Sequence, residues 1–121
     1  MKSTPPPKKQ FGNWAEQQAV YFLTEKDYTI LARNYRFKRA EIDLIARHRN
    51  TIVFVEVKAR TGTGYGYPEE SVSPNQQRLI LDAAEHYLEQ ESLDVEIRFD
   101  IISIIKNGNQ VNTYQVEDAF Y

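Results

Sequence analysis

The run Ile52-Val53-Phe54-Val55-Glu56-Val57-Lys58 is apolar apart from one carboxylate and one terminal ammonium. Side chains alternate along an extended strand, so Glu56 and Lys58 share a face with Ile52 and Phe54, while Val53, Val55 and Val57 line the other. Removing such charges from water costs several kcal/mol. They therefore persist where they pair, bind a cation or do chemistry. Asp43 lies 13 residues before Glu56, inside a second core-like segment, Glu41-Ile42-Asp43-Leu44-Ile45-Ala46-Arg47. Two carboxylates a few ångströms apart repel each other unless one is protonated or a cation lies between them. The chain has no cysteine, so its ligands are hard oxygens, which favour Mg²⁺, with Mn²⁺ as a substitute. A neighbouring lysine suits phosphate: it stabilises charge developing on a pentavalent phosphorus or positions an attacking water, while the metal supplies Lewis acidity.

An isolated Asp/Glu-x-Lys carries little information; the elements around it give it weight. Glu41 to Arg47 and Thr51 to Ala59 are separated only by His48-Arg49-Asn50, which predicts an antiparallel hairpin. A turn near residue 49 brings Asp43 opposite residue 55 or 56. Upstream, Phe11, Trp14/Ala15, Ala19 and Phe22/Leu23 recur at helical spacing to about Lys26, with Asn13 as the expected N-cap, and Tyr28 to Phe37 reads as a strand. Downstream, Ser73-Pro74-Asn75-Gln76 has the form of a capping box opening a helix to about Gln90, buried through Ile80, Ala83/Ala84 and Tyr87/Leu88. Ile97 to Ile105 reads as a further buried strand, with Asn107-Gly108 turning into Val111 to Val116. The expected architecture is an α/β fold with a mixed central sheet, in the order helix, three strands, helix, strand, plus a C-terminal strand.

The length of 121 residues suits one domain, expected over residues 11–121, with residues 1–10 as an extended tail carrying Pro5-Pro6-Pro7 and Lys8-Lys9. Neither a signal peptide nor a membrane-length apolar run is visible, so a cytoplasmic protein without a membrane partner is expected. The net charge of −2 gives no overall attraction to nucleic acid, but charge is segregated. Residues 33 to 60 carry eight basic side chains against three acidic ones, a net of +5 that leaves −7 elsewhere. Such a basic stretch can track a phosphate backbone or simply be solvated. The glycines from Gly62 to Gly66 alternate without the spacing of a phosphate-binding loop. Tyr65 and Tyr67 in that loop could stack on bases, whereas His48 and His86 read as solvated.

The Asp43…Glu56-x-Lys58 arrangement and the element order resemble the PD-(D/E)xK nuclease superfamily. Trp14-Ala15-Glu16-x-x-Ala19, Arg33-Asn34-Tyr35-Arg36, Glu41-Ile42-Asp43-Leu44-Ile45-Ala46, Phe54-Val55-Glu56-Val57-Lys58-x-Arg60, Arg98-Phe99-Asp100 and Ala119-Phe120 resemble, more closely, the bacterial YraN family of endonuclease-like proteins. That resemblance covers residues 11 to 120. It implies a restriction endonuclease-like three-layer α/β/α core related to Holliday junction resolvases. It also implies Mg²⁺ held by Asp43, Glu56 and Glu16, Lys58 serving the phosphate and water, and DNA, branched or flapped, as substrate. Arg36, Lys38, Arg39 and Arg60 are then the expected nucleic-acid contacts. Symmetric cutting of two strands would need a homodimer. Alanines stand at positions 15 and 40 where the family usually has glycine, Gln76 where it usually has lysine, and Ile42 where the superfamily motif has proline.

Other readings of the same residues stay open. Glu16, three residues after Asn13, could be the return arm of a capping box. Glu41 shares a strand face with Asp43 by parity or pairs with Arg36 or Lys38. Glu56 and Lys58 could form a structural ion pair, and Arg98 with Asp100 reads as one. The alternative to a nuclease is a catalytically weak or inactive module that keeps the fold to dock on nucleic acid or on a protein.

Overall fold

The computed structural model describes residues 7–62, 72–91 and 94–121. Its elements are α1 (Pro7–Glu25), β1 (Thr29–Phe37), β2 (Ala40–His48), β3 (Thr51–Thr61), α2 (Pro74–Glu91), β4 (Glu96–Asn107) and β5 (Gln110–Val116). The five strands form one sheet in sequence order. β1, β2 and β3 are joined antiparallel, β4 runs parallel to β3, and β5 pairs antiparallel with β4. A parallel pair needs a crossover, and α2 supplies it. The result is the expected mixed α/β sheet in α-β-β-β-α-β order with a C-terminal strand, consistent with a restriction endonuclease-like three-layer core.

Two apolar cores flank the sheet. Ala15, Ala19 and Leu23 of α1 pack on Leu44, Ala46, Val53, Val55, Ile102 and Ile104. Ile80, Ala83, Ala84 and Tyr87 of α2 pack on Ile42, Ile45, Ile52, Phe54, Phe99 and Ile101. Small residues on both helices let them approach the sheet closely. Around the second core Phe54, Phe99 and Phe120 stack in series, with centroids 5.3 and 5.4 Å apart.

The turns obey local chemistry. Lys38-Arg39 and Arg49-Asn50 close the first two hairpins, with Lys38 and Arg49 both at φ 56°. The last hairpin turns on Gly108-Asn109, one residue later than expected, with Gly108 taking the left-handed φ of 61° that glycine adopts without strain. The Ser73 hydroxyl accepts the backbone N–H of Gln76 at 3.1 Å, so the expected cap opens α2.

The start of α1 differs from the sequence reading. The helix begins at Pro7, not Phe11, so Pro7 to Gln10 are helical and Asn13 lies inside the helix instead of capping it. Proline at a first helical position loses no hydrogen bond, because that N–H has no partner in the helix. The glycine-rich loop with Tyr65, Tyr67, Glu69 and Glu70, and residues 1–6 of the expected tail, lie outside the described residues.

His86 also differs from the solvated histidine expected. The Tyr35 hydroxyl lies 2.7 Å from its Nδ1, and its ring stacks on Phe37 at 4.1 Å, fixing α2 to β1. His48 stacks on Tyr28 at 4.3 Å. On β4, where it lies across from Val55, Asp100 is fully buried and accepts both Nε and an Nη of Arg98 at 2.8 Å, Gln115 at 2.6 Å and the backbone N–H of Asp118 at 3.0 Å. Bonding to Asp100 holds the Arg98 guanidinium above even its usual range. This is the structural pair the sequence suggested.

Candidate functional site

The β2–β3 ladder runs from His48↔Thr51 to Leu44↔Val55 and stops there. Beyond that point β2 stays with β1 as far as Ala40, and β3 stays with β4 as far as Thr61. The sheet therefore divides, and one further register step would place Asp43 opposite Glu56, at the fork. Alternation slips at the same level of β2. Ile42 and Ile45 both face α2, while Leu44 and Ala46 face α1. A fork leaves backbone groups without ladder partners, which side chains can satisfy. Asp43 does so, its Oδ2 accepting the Val57 N–H at 2.8 Å.

Two hollows meet at Asp43. The larger, about 430 Å³, lies on the α1 side and is bordered by Lys8, Lys9, Glu16, Asp43 and Lys58. The smaller, about 240 Å³, lies on the α2 side and is bordered by Arg39, Glu41, Asp43, Glu56 and Gln76. Thus Asp43 borders both hollows, Glu56 the α2-side one and Lys58 the α1-side one, whereas strict alternation along β3 places Glu56 and Lys58 on one face.

Glu56 is buried, with 8% of its surface exposed. Desolvation pushes its carboxyl up to about 9, helped by a hydrogen bond and charge repulsion from Asp43 and by the Glu41 charge, against the opposing pull of Lys58. Without a cation, the pair is relieved by a proton on Glu56 that bonds to Asp43. A divalent cation would relieve it instead. Two carboxylates side by side are hard oxygen donors of the type that Mg²⁺ or Mn²⁺ takes.

The remaining expected residues divide. Glu16 borders the larger hollow, but its Oε1 accepts Asn34 Nδ2 at 2.9 Å and Arg33 Nε at 3.3 Å. Because Asn13 is inside the helix, the capping role open to Glu16 in the sequence falls away. Glu41 pairs with Arg36 at 3.5 Å, directly across β1–β2. Lys38 lies over the Phe37 ring, 5.2 Å from its centroid, in the first hairpin turn. Arg39 faces the α2-side hollow, and Arg60 is half-buried near the end of β3. Among the described residues no group of three or more His, Asp or Glu side chains is close enough to hold a metal. Sequence reasoning missed Lys8 and Lys9, assigned to the tail. Once α1 starts at Pro7, its first turn brings both to the hollow shared with Lys58. Pro7 itself, a favoured helix opener, was the available signal.

A divided mixed sheet between two helices, with paired carboxylates at the fork, makes this an α/β protein whose fold is consistent with a nuclease-like scaffold. The chain belongs to uncharacterised protein family UPF0102, which it matches over residues 15–104. A UPF0102 protein of Christiangramia forsetii is 43% identical over 112 residues, covering 93% of this chain and 94% of that protein. Those of Flavobacterium psychrophilum and Persephonella marina are 42% and 43% identical over 110 residues, each covering at least 90% of this chain and 91% of the relative. No helix among the described residues is long and apolar enough to cross a membrane.

Proposed function

We propose that this protein is a Mg²⁺-dependent nuclease that hydrolyses phosphodiester bonds in DNA, with Mn²⁺ able to substitute. The observation that carries the reading is the carboxyl pair at the fork: Glu56 is buried beside Asp43, and burial with that neighbour pushes its carboxyl up. Asp43 and Glu56 would hold the metal, which when bound supplies Lewis acidity and a more acidic water. Asp43 is fixed for that task by its bond from the Val57 N–H. Lys58 opens on the same hollow as Asp43 and would stabilise charge on the phosphate. Lys8, Lys9, Arg36, Lys38, Arg39 and Arg60 would contact the backbone, and Arg36 must leave Glu41 to do so. Resemblance to the YraN family extends the reading to branched or junction DNA, handled in the cytoplasm by a homodimer, in repair or recombination.

A second reading, a docking module with weak or no chemistry, draws support from Glu16, whose Oε1 is occupied by Arg33 and Asn34. The two readings separate on cleavage of linear, flapped and four-way DNA by wild type and Asp43→Asn with Mg²⁺ or Mn²⁺. Cutting by wild type alone supports the nuclease. Metal binding without cutting of any substrate supports the module.

A further inference from the structure

The α1 wall of the larger hollow holds a combination that neither metal binding nor packing accounts for. Lys8, Phe11, Gly12 and Ala15 follow one stripe of the helix and border the hollow from one side, with Val57, Lys58 and Ala59 of β3 on the other. Phe11 is part-exposed and is not among the described side chains packed on either apolar core. Its ring stacks on Trp14, with centroids 5.5 Å apart and planes 20° from parallel. Gly12 lies in the helix interior, where glycine is the least favourable residue short of proline. Its φ is not one of the positive values that call for glycine, and a Cβ there would meet nothing within 4 Å. No described neighbour therefore demands a glycine, and its missing side chain leaves room beside Phe11.

Charge surrounds this apolar floor. Lys8, Lys9 and Lys58 border the same hollow, and among the described residues no ion pair engages any of them. The two carboxylates on it are both engaged, Glu16 by Arg33 at 3.3 Å and Asp43 by the Val57 N–H. Asn13 adds an exposed amide that can donate and accept. An aromatic ring for a base, an amide for its edge and lysines for its phosphate are the groups that hold a nucleotide of a single strand. The volume of about 430 Å³ lies in the range of pockets that enclose small ligands, roughly 300–1,000 Å³. A base inside a duplex is covered on both faces by its neighbours, so only an unpaired one can reach such a wall. We infer that the α1-side hollow is a pocket for one unpaired nucleotide of a DNA strand, its base laid on Phe11 over Gly12 and its phosphate on Lys58, Lys8 and Lys9. The inference rests on the nuclease reading for the nature of the strand.

The test is binding of a short single-stranded oligothymidylate to the full chain in EDTA, where neither metal nor cleavage enters. Trp14 is the chain's single tryptophan, so a base stacked on Phe11 should quench its fluorescence, and a blunt duplex should bind without that quenching. By anisotropy of a labelled oligonucleotide, Phe11→Ala should bind about tenfold more weakly, the scale of one lost stacking contact, with an unchanged salt slope because stacking releases no counterions. Gly12→Leu should fill the hollow and lose at least as much affinity, while its melting temperature stays level or rises. Wild-type affinity in Phe11→Ala, or equal quenching by the duplex, overturns the inference, as does a fall in melting temperature that accounts for the whole loss in Gly12→Leu when Phe11→Ala binds normally. Displacement of the oligonucleotide by thymidine 5′-monophosphate at a matching concentration assigns the hollow to a free nucleotide and overturns it too. If wild type binds single strand and duplex alike and Phe11→Ala changes neither, only this inference falls. Absence of binding to either form by wild type overturns both it and the nuclease reading.

Discussion

Asp43 bonds across the fork to the backbone of Val57, the residue between Glu56 and Lys58, with N to Oδ2 at 2.8 Å. That contact replaces the ladder bonds that end at Leu44↔Val55, and it keeps one carboxylate beside the other. The site is therefore built by interrupting a sheet, and its electrostatic strain follows from the same interruption.

The strain has a pH signature. Folded Glu56 titrates at about 9, above its ordinary 4.5, so between these values the folded chain keeps a proton that the unfolded chain has released. Stability is then fully present below the lower value and declines as pH rises toward the upper one. Glu56→Gln keeps an N–H donor for Asp43 without the titration. In urea melts without metal it should exceed wild type by roughly 2 kcal/mol at pH 8, with the difference gone near pH 4. A pH-independent difference would contradict this.

The Arg98–Asp100 pair on β4 should matter for stability and not for metal binding. Asp100 satisfies Arg98, Gln115 and the Asp118 N–H, so Asp100→Ala leaves the Arg98 guanidinium with only Tyr28 and Glu117 among the described residues and should cost about 3 kcal/mol. Metal affinity in the folded variant should stay at the wild-type value, because Asp100 touches neither hollow. Parallel titrations and melts check both halves.

Backbone contacts should appear in the salt dependence of DNA binding. Arg36 is exposed in its pair with Glu41, so Arg36→Ala should change stability by less than about 0.5 kcal/mol. Loss of a phosphate contact there should lower the slope of log K against log salt by about 1, and loss of Lys8 and Lys9 together by about 2. Fluorescence anisotropy across a salt series measures the slopes. Unchanged slopes would remove these side chains from the interface.

Much of this was legible in the chain. The continuous apolar run around Glu56 and a short connection to a second such run were enough for the hairpin and for Asp43 beside Glu56. The Ser73-Pro74 signal opened α2 because its cap is chemical and local. The α1 start was missed because Asn13, a good cap in isolation, competed with Pro7, and with it went the place of Lys8 and Lys9. The Glu16 contacts with Arg33 and Asn34 depend on a left-handed residue inside a strand, which periodicity assumes away. His86 was misread because its partners, Tyr35 and Phe37, come from a strand about 50 residues earlier.

The central claim is that Asp43 and Glu56 form a divalent-cation site in which a proton stands in for the metal. Calorimetric Mn²⁺ titration at pH 7, in buffers of different ionisation enthalpy, tests it most directly, because the cation must displace the proton on Glu56. The account predicts binding with release of about one proton per Mn²⁺ by wild type, no proton release by Glu56→Gln, and no binding by Asp43→Asn. Absence of binding by wild type, or binding that releases no proton and survives Asp43→Asn, would contradict it.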